Sequence, residues 1–314
     1  MALFESSTHK QHWILTTEQI EKCRVASNEA ARTHMSNQFA GFDDDCLINL
    51  DEGLEIIKKM TLNLIKICQN EKYISRVLWS AAIMYRRFYL NRSLMHNDND
   101  PTLMMLTAIF VAGKAEEAPY TSSLRGINIG ALCAKTNSKF SIEDIIKSEI
   151  IFLEGIEFHL IVFNPSRPLQ GLLEQIQQTS SAWEEYVKEC NEVILFSLLS
   201  DCSIQYPPAQ IALSALLFSC DRMQEQGKTP PITKEEILDK FLYAHVEKTT
   251  QKAIDLVKVF ETISKSLRSG SLPPQKKLYR SANKKLKKIK SIVELAEKRN
   301  KLTEENKNKI LRKP

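Results

Sequence analysis

Pro101 opens a run with no polar side until its last residue: Pro101-Thr102-Leu103-Met104-Met105-Leu106-Thr107-Ala108-Ile109-Phe110-Val111-Ala112-Gly113-Lys114. Proline suits the first position of a helix, because the N–H it lacks would have no partner there. A helix apolar on every side must be enclosed by other helices. This one is too short for a bilayer, which takes about 20 apolar residues. It ends abruptly in charge at Lys114-Ala115-Glu116-Glu117-Ala118-Pro119. The phrase returns as Pro208-Ala209-Gln210-Ile211-Ala212-Leu213-Ser214-Ala215-Leu216-Leu217-Phe218-Ser219-Cys220, with Leu106, Thr107 and Ala108 answered by Leu213, Ser214 and Ala215. Buried helices draw on few residue types, so one such match is cheap. It carries weight only if the surrounding helices repeat as well.

They are predicted to. Asp51 caps a helix carrying Leu54, Ile57, Leu64, Ile65 and Cys68 at helical spacing. Ser75 opens the next, Asn97-Asp98-Asn99-Asp100 breaks before the apolar run, a shorter helix is expected near 122–135, and Ser141-x-x-Asp144 starts one that ends near Phe158. After Asn164-Pro165 helices are expected at about 166–178, 182–200, 207–222, 232–243 and 246–267, with the apolar phrase again third of five. No strand alternation competes. The expected architecture is all-α: an N-terminal helical extension and linker over 1–47, five-helix repeats over 48–161 and 162–268, and a basic C-terminal helix or tail over 269–314. The N-terminal helix, near 16–34, is expected to lie outside the main body, with Ile20, Cys23, Ala26, Ala30 and Ala31 as its stripe.

Length allows about two domains. Seven cysteines without a CxxC or Cys/His spacing fit reduced intracellular thiols rather than a disulfide framework. Met1 to Trp13 has no apolar core of a secretory signal, and no stretch reaches membrane-spanning length. The net charge of +5 is uneven: Lys276 to Lys313 holds fifteen Lys/Arg and four Asp/Glu, leaving 28 basic and 34 acidic residues elsewhere. The body is mildly acidic and the tail carries the basicity.

Catalytic signatures are missing. There is no GxxxxGK[ST], GxGxxG, HExxH or GxSxG. His9 and His12 have no third ligand nearby, and Pro101 interrupts the calcium-loop-like Asp98-Asn99-Asp100. No catalytic residue, metal or cofactor is expected. The sharper feature is Glu149. On a wheel at roughly 100° per residue it falls among Ile142, Ile145, Ile146, Leu153 and Ile156. A carboxylate there is costly unless paired. Either the stripe's rim is wet or an internal cation meets Glu149, or another protein completes the face; Lys114 is the candidate cation. Trp79, Phe88 and Tyr89 read as core, Arg86 and Arg87 as rim residues extending to solvent, and Arg167 as a structural hydrogen-bonder.

At these residues the chain resembles the cyclin family. Leu106 to Glu117 is similar to the cyclin-box phrase in which a lysine closes the central helix, and Glu149 stands before Phe158 as the family's glutamate stands before its aromatic. Four phrases place the resemblance in the H-type branch: His12-Trp13, Tyr85 to Asn91, Phe158 to Pro168 and Tyr206 to Leu213. The resemblance implies that Lys114, Ala115, Glu116, Glu149, Leu153 and Phe158 contact a kinase. Ala115 departs from the large apolar residue of many cell-cycle cyclins, so that contact is smaller. Leu54-Glu55-Ile56-Ile57-Lys58 replaces the MRxIL-x-x-W pattern, which puts a groove for RxL-type substrates in doubt.

The resemblance further implies a non-catalytic regulatory subunit of the CDK-activating kinase. Its partners would be a catalytic subunit of the cyclin-dependent kinase seven type, the RING-finger assembly factor and the core of general transcription factor IIH. It would act in the nucleus on the RNA polymerase II tail. Lys284, Lys285, Lys287 and Lys288 resemble a nuclear-localisation cluster. Direct nucleic-acid binding is not expected, because the body is acidic and aromatics for stacking are nearly absent after Tyr279. The alternative is a DNA-binding basal transcription factor of the same double fold, which needs basic faces on the repeats themselves.

Overall fold

The computed structural model describes residues 3–39, 44–117, 128–136 and 139–311. They form fourteen α-helices: α1 (Thr8–Trp13), α2 (Thr17–Gln38), α3 (Leu50–Asn70), α4 (Ser75–Asn91), α5 (Pro101–Ala115), α6 (Ile129–Lys135), α7 (Ile142–Gly155), α8 (Ser166–Gln175), α9 (Ser181–Leu195), α10 (Cys202–Gln205), α11 (Pro208–Glu225), α12 (Lys234–Leu238), α13 (Gln251–Ser271) and α14 (Lys276–Leu311). The described residues contain no strand. The all-α expectation is met; α5 stands third of the five helices in the first set, while the short α10 makes α11 fourth of six in the second set. Part of the helix expected near 122–135 lies outside the described residues.

The chain divides into two compact units. One, the first-repeat unit, gathers Glu18–Ile67, Tyr85–Phe158 and Pro274–Pro314; the other, the second-repeat unit, gathers Met1–Thr17, Cys68–Met84 and His159–Pro273.

In the first-repeat unit α5 is the axis. Asp100 Oδ1 accepts from the N–H groups of Thr102 (2.8 Å) and Leu103 (3.2 Å), satisfying donors that a helix start leaves open. From Leu103 to Ile109 every residue is buried. Tyr85 and Tyr89 donate their hydroxyls to the carbonyls of Pro101 (3.2 Å) and Asn99 (2.8 Å), so the turn before α5 is held by the core itself. Arg87 is completely buried and Arg86 nearly so, contrary to the rim placement expected of them. Trp79, Phe88 and Tyr89 are core residues, as read.

α7 lies close against α5, with the Thr107 and Ser148 hydroxyls 2.7 Å apart. It also stacks Phe152 on Phe88, centroids 5.3 Å apart. A Cβ at Gly155 would fall 2.3 Å from Phe88 Cδ2. Gly155→Ala must therefore push the Phe88 ring aside. It is expected to lower unfolding stability by about 1–3 kcal/mol, the usual cost of overpacking, as read by urea denaturation.

The terminal helices depart from expectation. α2 is packed rather than outlying: Ile20, Ala31 and Met35 are buried, while Ala26 and Ala30 are exposed. Its Asn28 side chain donates to Ile48 O (3.1 Å). α14 buries Ala282, Leu286, Ile289 and Val293, a stripe at helical spacing hidden in a lysine-rich sequence. Lys285 Nζ donates to Glu52 Oε2 (2.9 Å) and to Leu47 O (3.2 Å), and Lys290 pairs with Asp100.

In the second-repeat unit α11 is enclosed by α8, α9 and α13. Tyr186 OH donates to Leu216 O (2.9 Å), and a Cβ at Gly270 would meet Phe196 O at 2.3 Å. The helix expected over 182–200 stops at Leu195 and continues as a 3-10 turn and the short α10. It is capped by Ser180, whose side chain accepts from Trp183 N–H. The segment from His9 to Leu15, which shows little periodicity, still docks here. Phe163 N–H donates to His9 Nδ1 (3.0 Å), Trp13 Nε1–H to His159 Nδ1 (3.1 Å) and Leu15 N–H to Ile204 O (2.8 Å). Arg167 is exposed and contributes only its backbone N–H, to Asn164 Oδ1 at 3.4 Å.

Position by position, Lys114 at the end of α5 corresponds to Asp221 in α11, counting from the paired prolines. Asp221 pairs with Lys234, at the start of α12.

Candidate partner interface

α5 carries its charge at one end. Lys114 is exposed and pairs with Glu149 of α7, and its ammonium lies 4.4 Å from the centroid of the Phe110 ring. Glu149 thus meets the candidate cation Lys114, at an exposed rim rather than inside the fold. Phe110, missed in the sequence, sits one helical turn before that lysine and steadies its stem. The helix closes with Glu116 N–H donating to Ala112 O (2.9 Å), which leaves Ala115 exposed and Glu116 half-buried beside it.

The rotation of α7 differs from the sequence reading. Its buried line is Ile145, Ser148, Phe152, Gly155 and Ile156. The rest of the expected stripe is open, with Ile142 45% exposed, Ile146 53% exposed and Leu153 half-buried, and Ile150, outside that stripe, is also 53% exposed. Glu149 stands on the border between the two. Ile142, Ile146 and Ile150 follow each other at four-residue intervals and so form one row along the helix. Ile150 went unnoticed in the sequence, although its spacing from Ile146 was the signal. Past the helix, Phe158 N–H donates to Leu153 O (2.8 Å), and Glu157 and Phe158 both take positive φ, 55° and 57°. The turn leaves the Phe158 ring 57% exposed. A row of bare isoleucines ending in a bare phenylalanine, rimmed by an ion pair, is the kind of apolar patch that marks a protein contact.

The face of α3 bearing Leu54 and Ile57 is not comparable. Arg24, Ser27 and Asn28 of α2 lie against it, and the remaining gap is only about 40 Å³. That is room for a water or so rather than a peptide side chain.

Two family models match: "Cyclin, N-terminal domain" over residues 50–161 and "Cyclin C-terminal domain" over residues 164–297. The chain belongs to the cyclin family. Cyclin-H of Xenopus laevis is 28% identical over 227 residues, 70% of this chain and 69% of that one. Among solved structures, a chain in the CAK complex of Chaetomium thermophilum bound to ATP-gamma-S matches with a TM-score of 0.73 at 22% identity, covering 96% of this cyclin and 94% of that chain. A chain in the yeast TFIIK (Kin28/Ccl1/Tfb3) complex matches with a TM-score of 0.61 at 21% identity, covering 84% and 100%.

All six residues expected to contact a kinase belong to the first-repeat unit of this cyclin. Lys114 and Glu149 are joined directly, while Phe158, just past α7, is tied by its N–H to the carbonyl of Leu153 near the helix end. The lysine cluster of the tail is divided instead. Lys285 is committed to Glu52 inside the fold, Lys288 Nζ lies 3.4 Å from Cys46 Sγ, and Lys284 and Lys287 are exposed. No helix among the described residues is long and apolar enough to cross a membrane.

Proposed function

We propose that this cyclin is the regulatory subunit of a cyclin-dependent kinase, and that it binds the kinase through the open row of α7 and the Lys114–Glu149 pair. The observation that carries this reading is the isoleucine row: three β-branched apolar side chains held bare on a helix whose other side is sealed. Lys114, Ala115, Glu116, Glu149, Leu153 and Phe158 are its rim and end. In this reading 48–161 is the kinase-binding box and 162–268 the second box, with 1–47 and 269–314 as extensions.

The chain needs no catalytic group of its own. A rigid face that fits only one position of the kinase's mobile helix raises the population of the state in which the kinase's Lys–Glu pair and metal-binding Asp are aligned. The rigidity comes from α5, enclosed on every side and closely packed against α7 through Thr107 and Ser148.

More specifically, we place the pair as the CDK-activating kinase of general transcription factor IIH, phosphorylating the RNA polymerase II tail in the nucleus. The further partners are a catalytic subunit of the cyclin-dependent kinase seven type, a RING-finger assembly factor and the factor IIH core. Similarity to a cyclin-H and to chains of a CAK and a TFIIK complex supports this placement. Affinity purification of the tagged chain from its own cells, with identification of the bound kinase and an assay on a polymerase-tail heptad peptide, tests it. A kinase of another class in the eluate, or heptad activity equal to that of the kinase alone, would refute it.

A further inference from the structure

The tail helix α14 has two functions to offer, and only the inward one holds the fold. From Lys276 to Val293 there is no acidic residue and there are eight basic ones. On a wheel at roughly 100° per residue, the buried residues Ala282, Leu286, Ile289 and Val293 cluster on one side, with Lys285 and Lys290 flanking them. Those two lysines are spent on Glu52 and Asp100. The other six, Lys276, Lys277, Arg280, Lys284, Lys287 and Lys288, fall on the opposite side, and all six are exposed. Among the described residues, none of the six is in an ion pair; Lys288 approaches only the Cys46 sulfur.

We propose that this outward ridge of α14 is a docking surface for the phosphate backbone of duplex nucleic acid, distinct from the kinase-binding face. Three features select that partner. The ridge is linear, running about 18 Å from Lys276 to Lys288 at the helical rise. It carries one or two charges on each turn of about 5.4 Å, a regular series suited to a regular polyanion. It is made almost wholly of lysine, with no pocket, no exposed aromatic and no paired arginines. Lysine contacts a phosphate as a point charge, whereas recognition of phosphorylated peptides relies on arginine clusters. The surface therefore reads charge rather than sequence.

Docking of the inward stripe also matters. The ridge is presented by a fixed helix, so binding does not first have to order a loose tail. The acidity of the body, given from the sequence as a reason not to expect nucleic-acid binding, acts only weakly on the ridge, because screening at physiological salt limits interactions to about 8 Å.

The test uses the full chain and a fluorescein-labelled duplex of twenty base pairs, with anisotropy titrations at 50 and 200 mM salt. Four phosphate contacts predict a log–log salt slope of about −3.6, or roughly 150-fold weaker binding across that range. The triple variant Arg280→Gln, Lys284→Gln, Lys287→Gln should flatten the slope by about 2.7 and weaken binding at 50 mM at least about tenfold. A control of equal charge change, Lys188→Gln, Lys252→Gln, Lys265→Gln, should alter it less than about twofold. The single reversal Lys284→Glu, outside the buried stripe, repeats the comparison if the triple variant folds poorly. Binding by the ridge variants equal to wild type overturns the proposal, as does an equal loss in the control. A phosphorylated acidic peptide that displaces the labelled duplex more efficiently than unlabelled duplex also overturns it, and assigns the ridge to a protein partner.

Discussion

Replacing Ile146 and Ile150 together by aspartate is expected to abolish kinase capture while leaving the cyclin folded. Both side chains are more than half exposed, so the change removes little from the core and introduces no buried charge. Its effect falls on the partner, which would have to bury two carboxylates where it expects apolar surface. Hot-spot residues at the centre of an interface each cost about 2 kcal/mol or more on truncation, so the pair should weaken binding roughly 700-fold. Glu149→Lys acts on the same face by placing like charges where Lys114 now finds its counter-ion. Co-purification and isothermal titration with the kinase read the first quantity, and thermal melting reads the second. Full kinase binding by the Ile146→Asp, Ile150→Asp protein would remove α7 from the interface. A collapse in melting temperature would show instead that the row is structural.

Asp100→Ala is expected to be among the most destabilising single changes in the first-repeat unit. It removes the carboxylate that caps α5, a loss of about 1 kcal/mol. It also strands the Lys290 ammonium, which is nearly buried and has Asp100 as its counter-ion. Removing one partner of a buried pair costs about 3–5 kcal/mol. The balance at Lys290 is informative: burial pulls its pKa below the usual lysine value, and the attraction of Asp100 offsets this only in part. Lys290→Met removes that desolvation cost but leaves the Asp100 carboxylate with only its two backbone donors, so it should destabilise less than Asp100→Ala does. Added to Asp100→Ala, the same methionine should restore most of the lost stability. Urea denaturation of the four proteins forms a double-mutant cycle. A rescue of less than about 1 kcal/mol would mean that Lys290 finds another partner and that the pair does not hold α14.

Much of this could be read in the sequence, for reasons visible residue by residue. The paired prolines with their apolar runs identified both central helices, because a helix greasy on every side has few places to go. Ser141 with Asp144 and Thr233 with Glu236 form the reciprocal caps expected of such spacings. Periodicity could not choose which edge of the α7 stripe turns inward, since apolar residues cover more than half its circumference. Tight packing makes that choice, through the hydroxyls of Thr107 and Ser148 and the close approach of Gly155 to Phe88. The small residues Ser148 and Gly155, one heptad apart, were the mark of that side. In α14 the stripe Ala282, Leu286, Ile289, Val293 was equally periodic, but the surrounding lysines made the segment look solvated. Arg87 misled in the opposite way: nothing local says that a guanidinium will be taken fully inside.

The mismatch between Lys114 and Asp221 bears on stoichiometry. A duplicated bundle invites a duplicated ligand, since two copies of one surface would recruit two molecules of whatever fits it. Here the second copy presents a negative group where the first presents a positive one, and that group is already occupied by Lys234. If the kinase docks as proposed, a surface fitted to the first copy finds no matching lysine on the second. One kinase per cyclin is then the expected stoichiometry, which the mass of the purified complex would check.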